Sequence, residues 1–470
     1  MKVPYYLLAF FSLFAHQLSS QIKIYTLQEC VELALSQSME VRRAELTLAQ
    51  TAGLEKVQKL SFLPTVSANA GHIYNFGRSI DRVTNTFSLG TIQNNSFSLN
   101  TQVTLYNGLQ NQHNYDAAQL NTTAAQNNLA MVKNNIGLQM ANLFLQNILA
   151  AENIKIAQNQ IAQTKNQLEL ITKRYQAGAI DQGQVFSLDA QLSNDTYNLI
   201  LAENNFKSSE MNIKLLLQLK LEDAIILKLS DTLNEKKLNM LSANQIYENA
   251  LKLPQILQAE AQLKSSEMLY KVSLGARAPS ITAFGNLNTV YSESAKSIQN
   301  VRDEVVPIGF VNNTADLVST VRKNGDIVNT PFNDQINNNF GQSIGVQANI
   351  PIFTGGAIKN NIVNAENNLS LTKLNLENAK LQLYNDIATA VNNYEAALAN
   401  LNAAQANENA QKQTLDFANQ RFNAGLIGFY DFANSRTLYI ASQTNVQSAK
   451  YTFLFRKIVI NFYQNNTWNF

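Results

Sequence analysis

The polypeptide is written twice, and this repetition constrains its fold more than any single motif. Arg174-Tyr175-Gln176-Ala177-Gly178 returns as Arg421-Phe422-Asn423-Ala424-Gly425, 247 residues later. Leu105-Tyr106-Asn107-Gly108 returns as Ile352-Phe353-Thr354-Gly355 at the same separation. Upstream, Ala44-Glu45-Leu46 pairs with Ala259-Glu260-Ala261, and Leu63-Pro64-Thr65 with Ala278-Pro279-Ser280, both 215 residues apart. The two separations differ by 32, which places one insertion between Pro279 and Phe353 in the second half. Chance supplies one such match; four in order at two separations mark a tandem duplication. The expected division is residues 21–235 and 236–470.

Within each half three kinds of segment alternate. A helical lead-in is expected over 27–60 and again over 243–274. Strand-like stretches follow, at 62–74 and 97–106 in the first half and at 279–289 and 343–353 in the second. Phe97, Leu99, Val103 and Leu105 alternate with Ser98, Asn100, Gln102 and Thr104. Ile344, Val346, Ala348, Ile350 and Ile352 alternate with Ser343, Gly345, Gln347 and Asn349. Such a period of two over about ten residues suits strands with one apolar and one wet face, at the length a tilted membrane strand needs. Soluble sandwich strands can look the same. The stretch after Pro279 alternates least, because Phe284 breaks it.

The third kind is a helical hairpin, expected over 108–218 and 355–465. None of the seven prolines lies between 64 and 254 or after 351, so nothing there interrupts a helix. A heptad seam runs Met140, Leu143, Ala150, Ile154, Ala157, Ile161, Leu168, Ile171 and Tyr175, with Asn147 and Thr164 as polar members. It resumes as Val185, Leu188, Leu192, Leu199, Ala202, Phe206, Ile213 and Leu216, the pattern of helices supercoiled against partners. Gly178 and Gly425 close the helices at the turns, where a left-handed residue is needed. A residue range of 289–342 is read as a long loop holding the insertion, and 219–237 as an irregular collar joining the halves.

Residues 1–20 have the parts of a secretory signal peptide: Lys2, an apolar run over 5–15, then polar and small residues. Cys30 lacks the small residues that precede a lipidated cysteine and is expected to be buried in a helix. Lys and Arg number 36 against 34 Asp and Glu, so no charge excess points to nucleic acid. One Cys and three His leave little for a metal site, and no phosphate-cradling loop or Ser/His/Asp set suggests an enzyme or a cofactor. No stretch beyond residue 20 is apolar for long enough to make a transmembrane helix, so any membrane span is made of strands. Four strands cannot close a barrel, so copies of the chain would have to associate.

Together, the tandem halves, the Leu63-Pro64-Thr65 and Ala278-Pro279-Ser280 strand starts, the Tyr106-Asn107-Gly108 and Phe353-Thr354-Gly355-Gly356 exits and the paired Arg-aromatic-x-Ala-Gly turns resemble the TolC-type outer-membrane efflux channels. The resemblance covers about residues 25–465. It implies a mainly α fold in which coiled-coil hairpins form an α-barrel continuous with a transmembrane β-barrel, four strands per protomer and twelve in a homotrimer. It implies a passive export conduit of a tripartite efflux or type I secretion system, in the outer membrane with its helices in the periplasm. Partners would be a periplasmic adaptor, an inner-membrane pump of RND or ABC type, and outer-membrane lipid. The adaptor would meet the turns Ala177-Gly178-Ala179 and Ala424-Gly425-Leu426.

Two acidic positions that ring the pore entrance in the family fall on Asp431 and Asn434, so one carboxylate ring survives; Asp431 is also a candidate helix N-cap. The charged lock of the family's tip falls on Phe422, Ile427 and Gln184, which cannot form it. Apolar packing of Phe422, Ile427, Phe429 and Tyr430, with Asp181 near the opposite turn, is the expected substitute. The competing reading is a secreted or periplasmic coiled-coil scaffold with a small β head and no channel.

Overall fold

The structure, a computed structural model, describes residues 23–467 apart from 82, 84, 86, 230–236 and 313. The expected signal peptide lies outside the described residues. The chain begins with Lys23–Tyr25 (β1), Leu27–Gln37 (α1) and Met39–Leu60 (α2), then Thr65–Asn75 (β2), Arg78–Ile80 (β3), Phe87–Leu89 (β4) and Ile92–Tyr106 (β5). Gln110–Gln176 (α3) and Gln182–Leu217 (α4) follow, with Ile225–Leu227 (β6), Ala243–Ala250 (α5) and Pro254–Gly275 (α6). Ser280–Ser292 (β7), Lys296–Phe310 (β8), Leu317–Asn329 (β9), Phe332–Asn338 (α7) and Gly341–Asn349 (β10) lead to Ala357–Asn423 (α8) and Phe429–Asn465 (α9).

The duplication is visible in these bounds. Helices α3 and α8 are both 67 residues long, and each starts and ends 247 residues from its counterpart. At 1.5 Å per residue each is about 100 Å long. The lead-ins are each broken once. Ser38 leaves the helix at ψ 128° and then caps α2, its Oγ accepting from the Glu40 and Val41 amides. Pro254, which can start a helix but not continue one, begins α6 at the corresponding place.

Two compact units result. One comprises the described parts of Met1–Ala52, Leu120–Lys264 and Ser370–Phe470, and is mainly helical. Its main core gathers Cys30, Met140, Phe144, Ile213, Tyr394, Phe453 and Ile460. Burial pushes the Cys30 thiol up to about 12, with Glu29 adding to the effect. The segment expected as an irregular collar is partly regular, since β6 pairs in parallel with β1 and packs Ile225 and Leu227 on that core. Three residues carry too little periodicity to show in sequence.

The second unit comprises Gly53–Gln119 and Ser265–Leu369. Its sheet has the order β10-β7-β5-β2, antiparallel throughout, with no Asp, Glu, Lys or Arg in any of the four strands. The register sorts side chains into two faces. Ala68, Leu99 and Leu287 share one row; Val66, Thr101, Gly285 and Ile344 the next; Val103, Ala283 and Val346 a third. The opposite face carries Ser67, Asn69, Ser98, Asn100, Gln102, Asn286, Asn288, Ser343 and Gln347. Phe284 lies on this polar face against Gly345, where an added Cβ would come within 2.7 Å of the ring; the aromatic covers backbone that glycine leaves bare. Among the described residues no helix is long and apolar enough to cross a membrane.

The insertion is more ordered than a loop. Strands β8 and β9 form a hairpin with Asp303 opposite Lys323 and Glu304 opposite Arg322. Its base is held by a side-chain network: Asp81 accepts from the Ser292 and Ser294 hydroxyls, and Gln335 bonds the Ser292 backbone at both its N–H and its carbonyl. Two register shifts interrupt the alternation that would have revealed these strands.

Candidate functional site

The two helical turns have the same construction. Gly178 and Gly425 both sit at φ 73°, the left-handed region that closes a helix. Gly178 N–H donates to the Tyr175 carbonyl at 2.8 Å and Ala179 N–H to that of Arg174 at 2.9 Å. Gly425 N–H donates to Phe422 at 3.0 Å and Leu426 N–H to Arg421 at 2.8 Å. Ala177, Gly178, Ala179, Ala424, Gly425 and Leu426 are all exposed, and a Cβ on either glycine would meet open space. The Arg174 guanidinium reaches the Asn423 carbonyl at 3.4 Å, tying one turn to the other.

Beneath the turns lies an apolar cluster of Ile171, Leu188, Ala418, Phe422 and Phe432, with Ile180, Val185, Ile427 and Phe429 packed on it. The Phe422 and Phe432 rings stack at 5.0 Å and 15°, and Phe429 meets Phe422 at 6.3 Å and 61°. The structure thus brings together three of the four expected packing residues. Tyr430 is 83% exposed and points away. Phe432, not anticipated, takes its place, because residues 429 and 432 share a helix face and 430 does not. Asp181 is the N-cap residue of α4 without capping it through its side chain; its Oδ2 accepts from Gln184 at 3.3 Å. Asp431 and Asn434 are exposed on the first turns of α9. The N-cap there is Gly428, so Asp431 stands three residues inside the helix, where its charge meets the positive end of the helix dipole.

Next to this cluster is a buried charge pair that sequence reasoning did not anticipate. Arg436 on α9 and Asp195 on α4 are 4% and 2% exposed, with Arg436 Nη2 3.6 Å from Asp195 Oδ2. Arg436 also donates to the Gln160 carbonyl at 2.8 Å, Thr164 Oγ1 at 2.6 Å and Gln167 Oε1 at 3.4 Å, all on α3. Thr164 donates in turn to Asp195, and Gln191 donates to Asp195 Oδ1 at 2.8 Å. Burial pulls the Arg436 guanidinium below its ordinary value, and the Asp195 charge opposes that pull. Three helices therefore share one polar knot. The sequence carried one signal for it, Thr164 as a polar member of an apolar seam. The other polar member, Asn147, is likewise buried and donates to Ser209 at 2.9 Å.

Long helical hairpins and a charge-free antiparallel sheet, each built from two sequence repeats, define the class of outer-membrane channels with a helical barrel and a β-barrel part. A family model described as outer membrane efflux protein matches residues 30–217 and 246–454. The chain belongs to the outer membrane efflux protein family. Solved structures share the fold. CusC aligns with TM-score 0.75 at 16% identity, covering 93% of this chain and 91% of that one. VceC, an outer membrane protein of Vibrio cholerae, aligns with TM-score 0.72 at 15% identity, covering 92% and 95%. CmeC, an outer membrane channel of Campylobacter jejuni, aligns with TM-score 0.69 at 18% identity, covering 93% and 85%. No curated protein sequence matches the chain.

Proposed function

We propose that the protein is the passive outer-membrane conduit of a tripartite efflux or type I secretion system, assembled as a homotrimer. One observation carries this reading. The sheet has two unpaired outer edges, β2 and β10, apolar residues on one face and uncharged polar residues on the other. In lipid each unpaired backbone group costs several kcal/mol, so the edges must be closed. Three copies supply twelve strands, with Val66, Leu99, Leu287, Ile344 and Val346 toward hydrocarbon and the Asn- and Ser-rich face toward a water-filled lumen. The helical hairpins would stand in the periplasm, and their exposed Gly178 and Gly425 turns would receive a periplasmic adaptor coupled to an RND or ABC pump. Purification in detergent as a trimer that conducts ions in planar bilayers is the expected result. A water-soluble monomer without conductance would instead favour the scaffold reading.

Asp431 would supply one ring of three carboxylates at the pore entrance, with Asn434 contributing none. Cation preference should accordingly be modest. In single-channel recordings, Asn434→Asp should raise the cation-to-anion permeability ratio and Asp431→Asn should bring it toward unity; no response to either would remove the pore role. The cluster of Phe422, Ile427, Phe429 and Phe432 would hold the tip closed in place of a charged lock, with Asp181 and Gln184 beside it.

A further inference from the structure

The duplication gives a rule for the seam between copies. In one chain the exit strand of the first repeat, β5, pairs with the starting strand of the second, β7. The unpaired edges are the exit strand of the second repeat, β10, and the starting strand of the first, β2. If copies associate as proposed above, β10 of one meets β2 of the next, which is the β5–β7 junction made again between molecules. We infer that this seam copies the β5–β7 register, with Ala348 of one copy opposite Ala70 of the next.

The register follows by carrying known pairs across the repeat separations. Thr101 faces Gly285 in the chain; adding 247 to the first and subtracting 215 from the second gives Ala348 and Ala70. Leu99 and Leu287 likewise give Val346 and His72, and Val103 with Ala283 gives Ile350 and Ala68. Each such pair joins two residues of the Val66–Ala68–Ala70 face, all apolar except for His72, whereas a slip by one residue would set that face against the polar one.

Two observations that played no part in that transfer agree with it. First, β10 ends at Asn349, because its partner β7 begins at Ser280, although the sequence alternates on to Phe353. Ile350, Ile352 and Phe353 are left 62%, 94% and 88% exposed. The transferred register sets residues 343–353 against β2, whose own span is Thr65–Asn75. The register shift between Thr104 and Tyr106 falls, after transfer, just past Pro351, and strand prolines are tolerated beside bulges.

Second, of the apolar residues on the polar face, which include Ile92 and Val290, two bear on this seam. Phe284 lies against Gly345, and Ile73 of β2 is 55% exposed on the same face. The inferred register places Ile73 of the next copy directly opposite Gly345. Phe284, Gly345 and Ile73 then form one row across the seam, and these two apolar side chains become neighbours over the bare glycine. A slip of two residues separates them.

Cysteine pairs test the register in the assembled protein. Cys30 is buried with its thiol pushed up to about 12, so it stays silent to mild oxidant. Ala348→Cys is combined in turn with Ala68→Cys, Ala70→Cys and His72→Cys, and covalent trimer is read after oxidation in native membranes. The pair with Ala70→Cys should give the highest yield, several-fold above the other two, since directly opposed Cβ atoms are about 4.5–5.5 Å apart and diagonal ones about 7–8 Å. Highest yield at Ala68→Cys or His72→Cys, or none in an intact trimer, would overturn the register while sparing the conduit. Absence of any trimer before oxidation would instead overturn the conduit itself.

Discussion

Asp195→Ala should lower the unfolding free energy of the helical unit by about 3–5 kcal/mol, the range for removing one partner of a buried ion pair. The loss comes less from the missing attraction than from what stays behind. Arg436 would remain 4% exposed with its charge uncompensated, and its bonds to Thr164, the Gln160 carbonyl and Gln167 cannot neutralise it. The diagnostic experiment is a cycle with Arg436→Met. Methionine removes the stranded charge and fills similar space, so the double variant should recover most of the loss, as well-packed apolar replacements of buried pairs often do. Urea unfolding followed by helical circular dichroism in detergent supplies the numbers. A double variant that is the sum of the two singles would show that the knot is not a coupled unit.

The second large effect is expected at the strand exit, within the sheet-bearing unit. Gly108 has φ 68°, and a Cβ on it would overlap the Gly275 carbonyl; a Cβ on Gly275 would overlap the Gly108 carbonyl in turn. Both neighbours are backbone and cannot rotate away. Neighbouring Leu109 already adopts φ 63°, so positive φ alone is tolerated here and the overlap decides. Gly108→Ala should therefore cost about 2–5 kcal/mol, combining overpacking with left-handed strain, and Gly275→Ala about 1–3 kcal/mol from overpacking alone. Gly425→Ala, with the same sign of φ but open space, should cost only about 1–2 kcal/mol. Assembly yield and heat resistance of the oligomer would rank the three. Equal losses at Gly108 and Gly425 would remove the close approach from the explanation.

Much of the fold was legible because its signals are local and repeated. Helices α3 and α8 came from long stretches free of proline and from the heptad seam, and their ends from Gly178 and Gly425. The faces of the sheet came from alternation at period two. The two turns were legible for the same reason, since the left-handed residue that closes each helix is a glycine, Gly178 and Gly425. The breaks at Ser38 and before Pro254 also had local signals, a capping hydroxyl and a proline, though alternation of helix and strand gave no reason to look for them.

The remainder depended on which distant residues meet. Nothing near Arg436 names Asp195, 241 residues earlier, or shows that both will be buried. Phe432 rather than Tyr430 joins the aromatic cluster because of how α9 is rotated about its axis, a property set by packing across helices. The same holds for β1 with β6 and for the β8–β9 hairpin, whose short or interrupted strands draw their stability from partners. By itself the sequence determined what repeats along the chain, because backbone hydrogen bonding and apolar periodicity act over a few residues. Only the tertiary structure decided which polar groups are buried together, because desolvation is felt only once distant helices have closed over them.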